Sequence, residues 1–201
     1  MLPITINVGP DTAADGANVQ PRSGKTGELV ITQLHGRYYE QAYRGNLFSA
    51  GNQAAQALSV ALATTYTGLC LSNPLGNTKN LVLLKAAFAL SVAPAAIASL
   101  HLIGGMSPTA QVTHTTPLVP QNNFLGGGSP TGKVDSAATI PTPVYLWALQ
   151  NGFTAAALPN VPAPQMDFEG SIVIPPGGFV AIGALTAVTG FGSMMWEEVA
   201  V

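Results

Sequence analysis

Charge is what this sequence has least of. Only seven basic and nine acidic residues occur in 201, and the stretch 45–78 holds none. Soluble monomers devote about a quarter of their residues to Asp, Glu, Lys and Arg. At 8%, the exterior either sits in a membrane or is covered by other protein. The cations are scattered along a chain of net charge −2, so the cluster of positive charge that a phosphate backbone requires is missing and no nucleic-acid partner is expected. Cysteine is nearly absent too. Cys70 alone excludes an internal disulfide and any multi-thiolate zinc site, and within Gly68-Leu69-Cys70-Leu71 it reads as a small buried hydrophobe.

A leader and a convincing membrane span are also lacking. Met1 to Asn7 shows neither a basic start nor a continuous apolar stretch, so synthesis in a cytoplasm is expected. Leu81 to Ile103 is long enough to cross a bilayer, but Lys85, Pro94 and His101 interrupt it. Asn46, Asn52, Gln53, Gln56, Thr64, Thr65 and Thr67 in the neighbouring uncharged stretch would each need a partner in lipid. Concealment against protein is therefore the preferred reading, with no membrane partner.

Titratable groups are too sparse to suggest a reaction. The three histidines, His35, His101 and His114, have no metal-ligand spacing, and no acidic residue falls between Glu40 and Asp135. His101 lies among Leu100, Leu102 and Ile103, where a structural histidine is commoner than a catalytic one. An enzyme would need long-range convergence of His101, His114 and Asp135. Gly126-Gly127-Gly128-Ser129-Pro130-Thr131-Gly132-Lys133 lacks the phosphate-loop spacing, because Val134 follows Lys133 and Pro130 removes an amide. Gly24-Lys25-Thr26 has Val19 where the first glycine should stand. No serine sits in a Gly-x-Ser-x-Gly elbow. No catalytic residue, cofactor or metal is assigned, and the chain is expected not to be an enzyme.

Turn formers, by contrast, are plentiful, with 22 glycines and 16 prolines. Residues 1–28 carry turn formers without a periodic apolar face and read as an N-terminal arm, with a single domain over 29–201. Arg37, Tyr38, Tyr39, Tyr43 and Arg44 then place aromatics beside guanidiniums, as interface centres do. From Asn46 onward, short apolar runs alternate with Gly, Pro, Asn and Ser, which is the punctuation of an all-β domain. Strands are expected at 57–63, with a short helix over 54–63 as the alternative, and at 67–72, 80–92 and 96–103. A further one is expected near 109–115, inside a long Gly/Pro-rich loop from Gly104 to Pro143. Apolar runs resume at 144–149 and 168–174. Residues 179–186 and 191–199, joined through Thr189-Gly190, read as a closing antiparallel hairpin. Eight to ten short strands pack naturally as an antiparallel β-sandwich of jelly-roll type. The charged ends of this pattern, Arg37 to Arg44 and Glu197-Glu198, are the candidate partner-facing residues.

Three segments carry a resemblance: Asn46 through Leu71, Ser72-Asn73-Pro74, and Ile174-Pro175-Pro176-Gly177-Gly178 to Trp196-Glu197-Glu198. Together they resemble virion structural proteins of tailed bacteriophages, over most of the chain after Gly45. The resemblance implies a capsid decoration or cement protein, a homotrimeric β-sandwich on the virion surface that binds the major capsid protein and sister subunits. The alternative is a tail or fibre module that recognises a host-surface glycan, held by the Gly104 to Pro143 loops against Tyr145 or Trp147.

Overall fold

A computed structural model describes residues 36–95, 98–152 and 165–201. By its internal contacts the chain divides into Met1–Tyr39 and Glu40–Val201; the arm expected over 1–28 and His35 lie outside the described residues. One short helix, α1 (Tyr39–Tyr43), precedes twelve strands: β1 (Leu47–Gly51), β2 (Gln56–Ala57), β3 (Thr65–Ser72), β4 (Lys79–Leu90), β5 (Ala98–Met106), β6 (Thr113–Leu118), β7 (Gln121–Asn122), β8 (Lys133–Thr139), β9 (Val144–Gly152), β10 (Gln165–Ile174), β11 (Gly178–Ala184) and β12 (Thr189–Ala200). They form two six-stranded sheets. The first runs β10-β4-β12-β1-β7 with β2 also on β12, and the second runs β6-β8-β3-β11-β5-β9. Every ladder is antiparallel, so the expected all-β sandwich is the observed architecture.

Alternation explains how the sheets meet. Along β12, Gly190, Gly192, Met194, Trp196 and Glu198 are buried while Phe191 and Ser193 between them are exposed, the period of a strand with one covered face. Leu69, Leu71, Leu83, Phe88, Leu102, Val180, Ile182, Met194 and Trp196 join in one core. Trp196 is fully buried and stacks on Phe48 with ring centroids 6.0 Å apart. Each such side chain withdrawn from water contributes about 1.5–3 kcal/mol. The intervening residues of the second sheet, Cys70, Ile103, Phe179 and Ala181, form a second cluster with Tyr66, Val112, Ala138 and Ile140. All seven residues of β11 are therefore buried, and its sequence reads as a continuous apolar run.

Two irregularities set the registers. Gly68 has φ +133°, and a β-carbon there would collide with the Tyr66 hydroxyl and with Leu58. The ladder slips at this point between Thr67 and Cys70, which lets the buried Tyr66 hydroxyl donate to the carbonyls of Ile182 (2.6 Å) or Leu69 (3.1 Å). In β4, both neighbours skip Leu84 between Leu83 and Lys85. That bulge shifts the phase, so Leu81 and Leu83 are buried before it and Ala86 and Phe88 after it. Apolar residues on both nominal faces of β4 thus reflect a phase change, not two buried faces.

Several expectations are corrected. The last two strands do not form a hairpin, since β11 pairs with β3 and β5 while β12 belongs to the other sheet. The chain crosses there because both edges of β11 are taken, by β3 and β5. Residues 57–63 are neither a strand nor a helix: β2 ends at Ala57, an isolated bridge from Val60 to Ala184 follows, and Ala61 turns the chain at φ 56°. The stretch from Gly104 to Pro143 is not a long loop, as it contains β6, β7 and β8. The strand expected at 109–115 begins only at Thr113 and runs to Leu118, and β1 and β8 had no counterpart in the expected set. The possible span from Leu81 to Ile103 falls on β4 and β5, in different sheets. Among the described residues no helix is long and apolar enough to cross a membrane.

Cys70 is wholly buried, and burial, aided by the nearby Asp135 charge, pushes its thiol well above the ordinary range. The folded protein should therefore resist iodoacetamide at pH 8, and one thiol per chain should label in denaturant. Rapid labelling of the native protein would contradict the placement of β3.

Candidate functional site

The residues expected to face a partner separate into three situations. Arg37 places its guanidinium 5.4 Å from the centre of the Tyr38 ring. α1 turns on exposed residues, and the Arg44 guanidinium pairs with Glu40 at 2.7 Å, one turn away and open to solvent. Such a pair contributes little stability, about 0.5 kcal/mol or less, but it organises the surface around Tyr43. The Tyr43 ring meets Phe124 edge to face at 6.3 Å. Tyr43, Phe124 and Leu125 are 55%, 50% and 84% exposed, so this small face is apolar and open. Phe124 and Leu125 were not among the sequence candidates. Two large hydrophobes immediately before a triple glycine were the available signal.

Glu197 and Glu198 part company, because adjacent strand residues point to opposite faces. Glu197 is partly exposed, and desolvation raises its carboxyl somewhat above the usual range. Glu198 is 2% exposed and accepts from the amides of Thr131 (2.8 Å) and Gly132 (2.9 Å), the Thr131 hydroxyl (2.8 Å) and the Lys79 ammonium (3.2 Å). As a candidate surface charge Glu198 is therefore corrected: its carboxylate clasps the start of β8 to β12. Charge-assisted bonds to amides and an ammonium offset the cost of removing it from water.

Long-range convergence does occur for two of the three residues an enzyme would need. His114 of β6 meets Asp135 of β8, with Nδ1 to Oδ2 at 2.6 Å. His101 lies elsewhere, on β5, with its ring 4.9 Å from that of Tyr145. Asp135 is completely buried and its Oδ1 has no partner. A carboxylate holding Nδ1 is the orienting half of a nucleophilic relay. Among the described residues, however, His114 bonds to no hydroxyl or thiol, so the pair acts as a lock between an edge strand and its neighbour. No three His, Cys, Asp or Glu side chains among the described residues converge as a metal site would require.

Compared with known protein families, curated proteins and solved structures, the chain matches none. The likeness to phage virion proteins thus rests on its sequence segments alone.

Replacing His114 by alanine would leave a buried carboxylate without its partner. We expect a loss of about 3 kcal/mol, the low end for a broken buried pair because the imidazole is partly exposed. The midpoint of urea unfolding would report it, and H114A combined with D135N should recover much of the loss. An unchanged midpoint for H114A would show that the pair does not hold β6.

Proposed function

We propose that this protein is a structural subunit of an assembled particle, most specifically a capsid decoration or cement protein that acts as a homotrimer on the virion surface, bound to the major capsid protein. The apolar face of Tyr43, Phe124 and Leu125 carries the reading. Lys79 and Lys85 are committed within the fold, to Glu198 and Asp167, and the charge beside that face is the mutually paired Arg44 and Glu40. Large apolar groups exposed together on a charge-poor surface mark an interaction site. The two packed sheets supply a platform, and the exposed aromatics resemble the anchors that dominate interface energies. An interface of roughly 1,600 Å² is enough for a specific contact, and repetition over a lattice adds avidity.

The sandwich type belongs to the same proposal. The chain changes sheet at β2 to β3, β3 to β4, β4 to β5, β6 to β7, β7 to β8, β9 to β10, β10 to β11 and β11 to β12, and such repeated crossing favours a jelly roll. A non-enzymatic role also fits a molecule whose buried carboxylates, Glu198 and Asp135, are spent on tying strands together.

Light scattering at micromolar concentration should give the mass of three chains, and the protein should co-sediment with capsid shells. Replacing Phe124 and Leu125 by aspartate should abolish co-sedimentation without lowering the melting temperature, since both side chains are exposed. A monomer with no affinity for shells would sink the proposal.

A further inference from the structure

The geometry points to a second site on the other side of the sandwich, a shallow cleft between β9 and β10 that binds a neutral pyranose sugar. The edge strand β9 of one sheet and the edge strand β10 of the other both border it. Trp147, Asp167, Glu169 and Ser171 line it with the β10 backbone around them, enclosing about 490 Å³, room for one or two sugar rings. Trp147 pairs across the ladder with Leu102, a fully buried core residue, so its side chain leaves the sheet on the core side. It stands at the open edge, where no further strand among the described residues covers it, and remains 56% exposed. An indole held at the mouth of a cleft offers an apolar face for stacking beside polar groups that can hydrogen-bond.

The opposite wall is built by a distortion. β10 pairs with β4 through Asp167 and again from Ile172, and Phe168 to Ser171 bulge out between them. Glu169 adopts φ 51° and Gly170 φ 81°. A positive φ at glutamate is uncommon and strained. The turn is held by the Glu169 amide donating to Asp167 Oδ1 at 3.0 Å. Bulges of this kind re-aim side chains, and this one sets Glu169 and Ser171 beside the laddered Asp167, so that two carboxylates and a hydroxyl line the cleft with an indole.

The chemistry of that set selects the ligand. A pyranose has an apolar C–H face, which stacks on an aromatic ring, and a rim of hydroxyls, which donate to carboxylates and exchange bonds with Ser171. Each carboxylate offers about four acceptor positions, so the bonds that Asp167 and Glu169 already make leave capacity. A cationic ligand would use the same groups less well. Lys85 lies 3.8 Å from Asp167 and offsets its charge, and one indole does not make the aromatic cage that alkylammonium recognition uses. The site shares Trp147 with the glycan alternative read from the sequence, but its other wall is the β10 bulge and not the Gly104 to Pro143 region. It lies at the opposite edge of the first sheet from β7, beside which Phe124 and Leu125 emerge, so it requires no particular assembly.

Saturation-transfer NMR on the full chain, with glucose, galactose, mannose and N-acetylglucosamine as separate probes at 10 mM and arginine and tetramethylammonium as cationic controls, tests it. At least one pyranose should receive saturation on its ring C–H protons and quench the exposed tryptophan emission. W147A should abolish the signal and W147F retain part of it. E169Q should weaken binding roughly tenfold, the scale of one charge-assisted hydrogen bond. All three substitutions are at two exposed side chains, Trp147 and Glu169, and unchanged melting curves would confirm intact folding. Absence of transfer to all four sugars, transfer that survives W147A, or preferential binding of the cationic controls would each overturn the assignment. Because solution mass and shell binding are not read, failure here would leave the assembly proposal standing.

Discussion

The rest of the structure depends on β12 lying in the middle of its sheet. It pairs along eleven residues with β4 on one side and along β1 on the other, and the Gly192 amide reaches Asn52 Oδ1, 140 positions earlier. No two sequence-consecutive strands are neighbours in either sheet. Each ladder therefore closes a long loop before it gains any contact energy, and the entropy of that closure must be offset by many contacts formed together. A fold of this kind has little local structure to fall back on. Its strands are stable only as a set.

That constraint accounts for how the few charges are spent. A strand drawn from a distant part of the chain needs something more directional than apolar burial to fix its register, because a one-residue slip would turn its core face outward. Glu198 binds the amides of Thr131 and Gly132 at the entrance to β8, and Asp135 holds His114 on β6. Both carboxylates reach between elements that no short turn connects. Tyr66 does similar work within the second sheet through the Ile182 carbonyl, and its burial raises its hydroxyl well above the ordinary range. Groups that would solvate an ordinary surface are instead used as register pins, and the exterior is left short of charge.

The division between what could and could not be read in advance follows from the same fact. Strand character was legible wherever alternation or an uninterrupted apolar run was strong, as in Phe191 to Val199 and Phe179 to Ala184. The two-layer class followed from strand number and turn chemistry. Pairing was not legible, because Pro175 to Gly178 and Thr186 to Val188 look the same whether the chain folds back in one sheet or crosses to the other. The reading of the closing segment as a hairpin failed for that reason. Glu197 and Glu198 looked equivalent in sequence, and only the register of β12 decides which is buried. The cleft was half legible: Trp147 stood out as an aromatic, but Asp167 and Glu169 acquire meaning only through the bulge that turns them toward it.

A sandwich without local hairpins also dictates where its binding surfaces can lie. Both faces of the second sheet's central strand are covered, and the first sheet turns one face to the core, so the informative surfaces are the open sides where the edge strands end. These sides differ chemically. Along β6 and β7, the chain carries Pro117, the His114 lock and the apolar pair Phe124-Leu125 just beyond. Along β9 and β10, it carries an exposed indole opposite a strained, carboxylate-bearing bulge. Proline and a two-residue strand blunt the first side against further strand pairing, so what it offers is side chains rather than backbone. The bulge does the same for β10, and β9 is itself bulged at Leu146 and Leu149, where its register to β5 slips. Edges protected against sheet extension yet furnished with exposed aromatics are suited to side-chain recognition. The fold thus favours partners held by rings and carboxylates over partners added as strands.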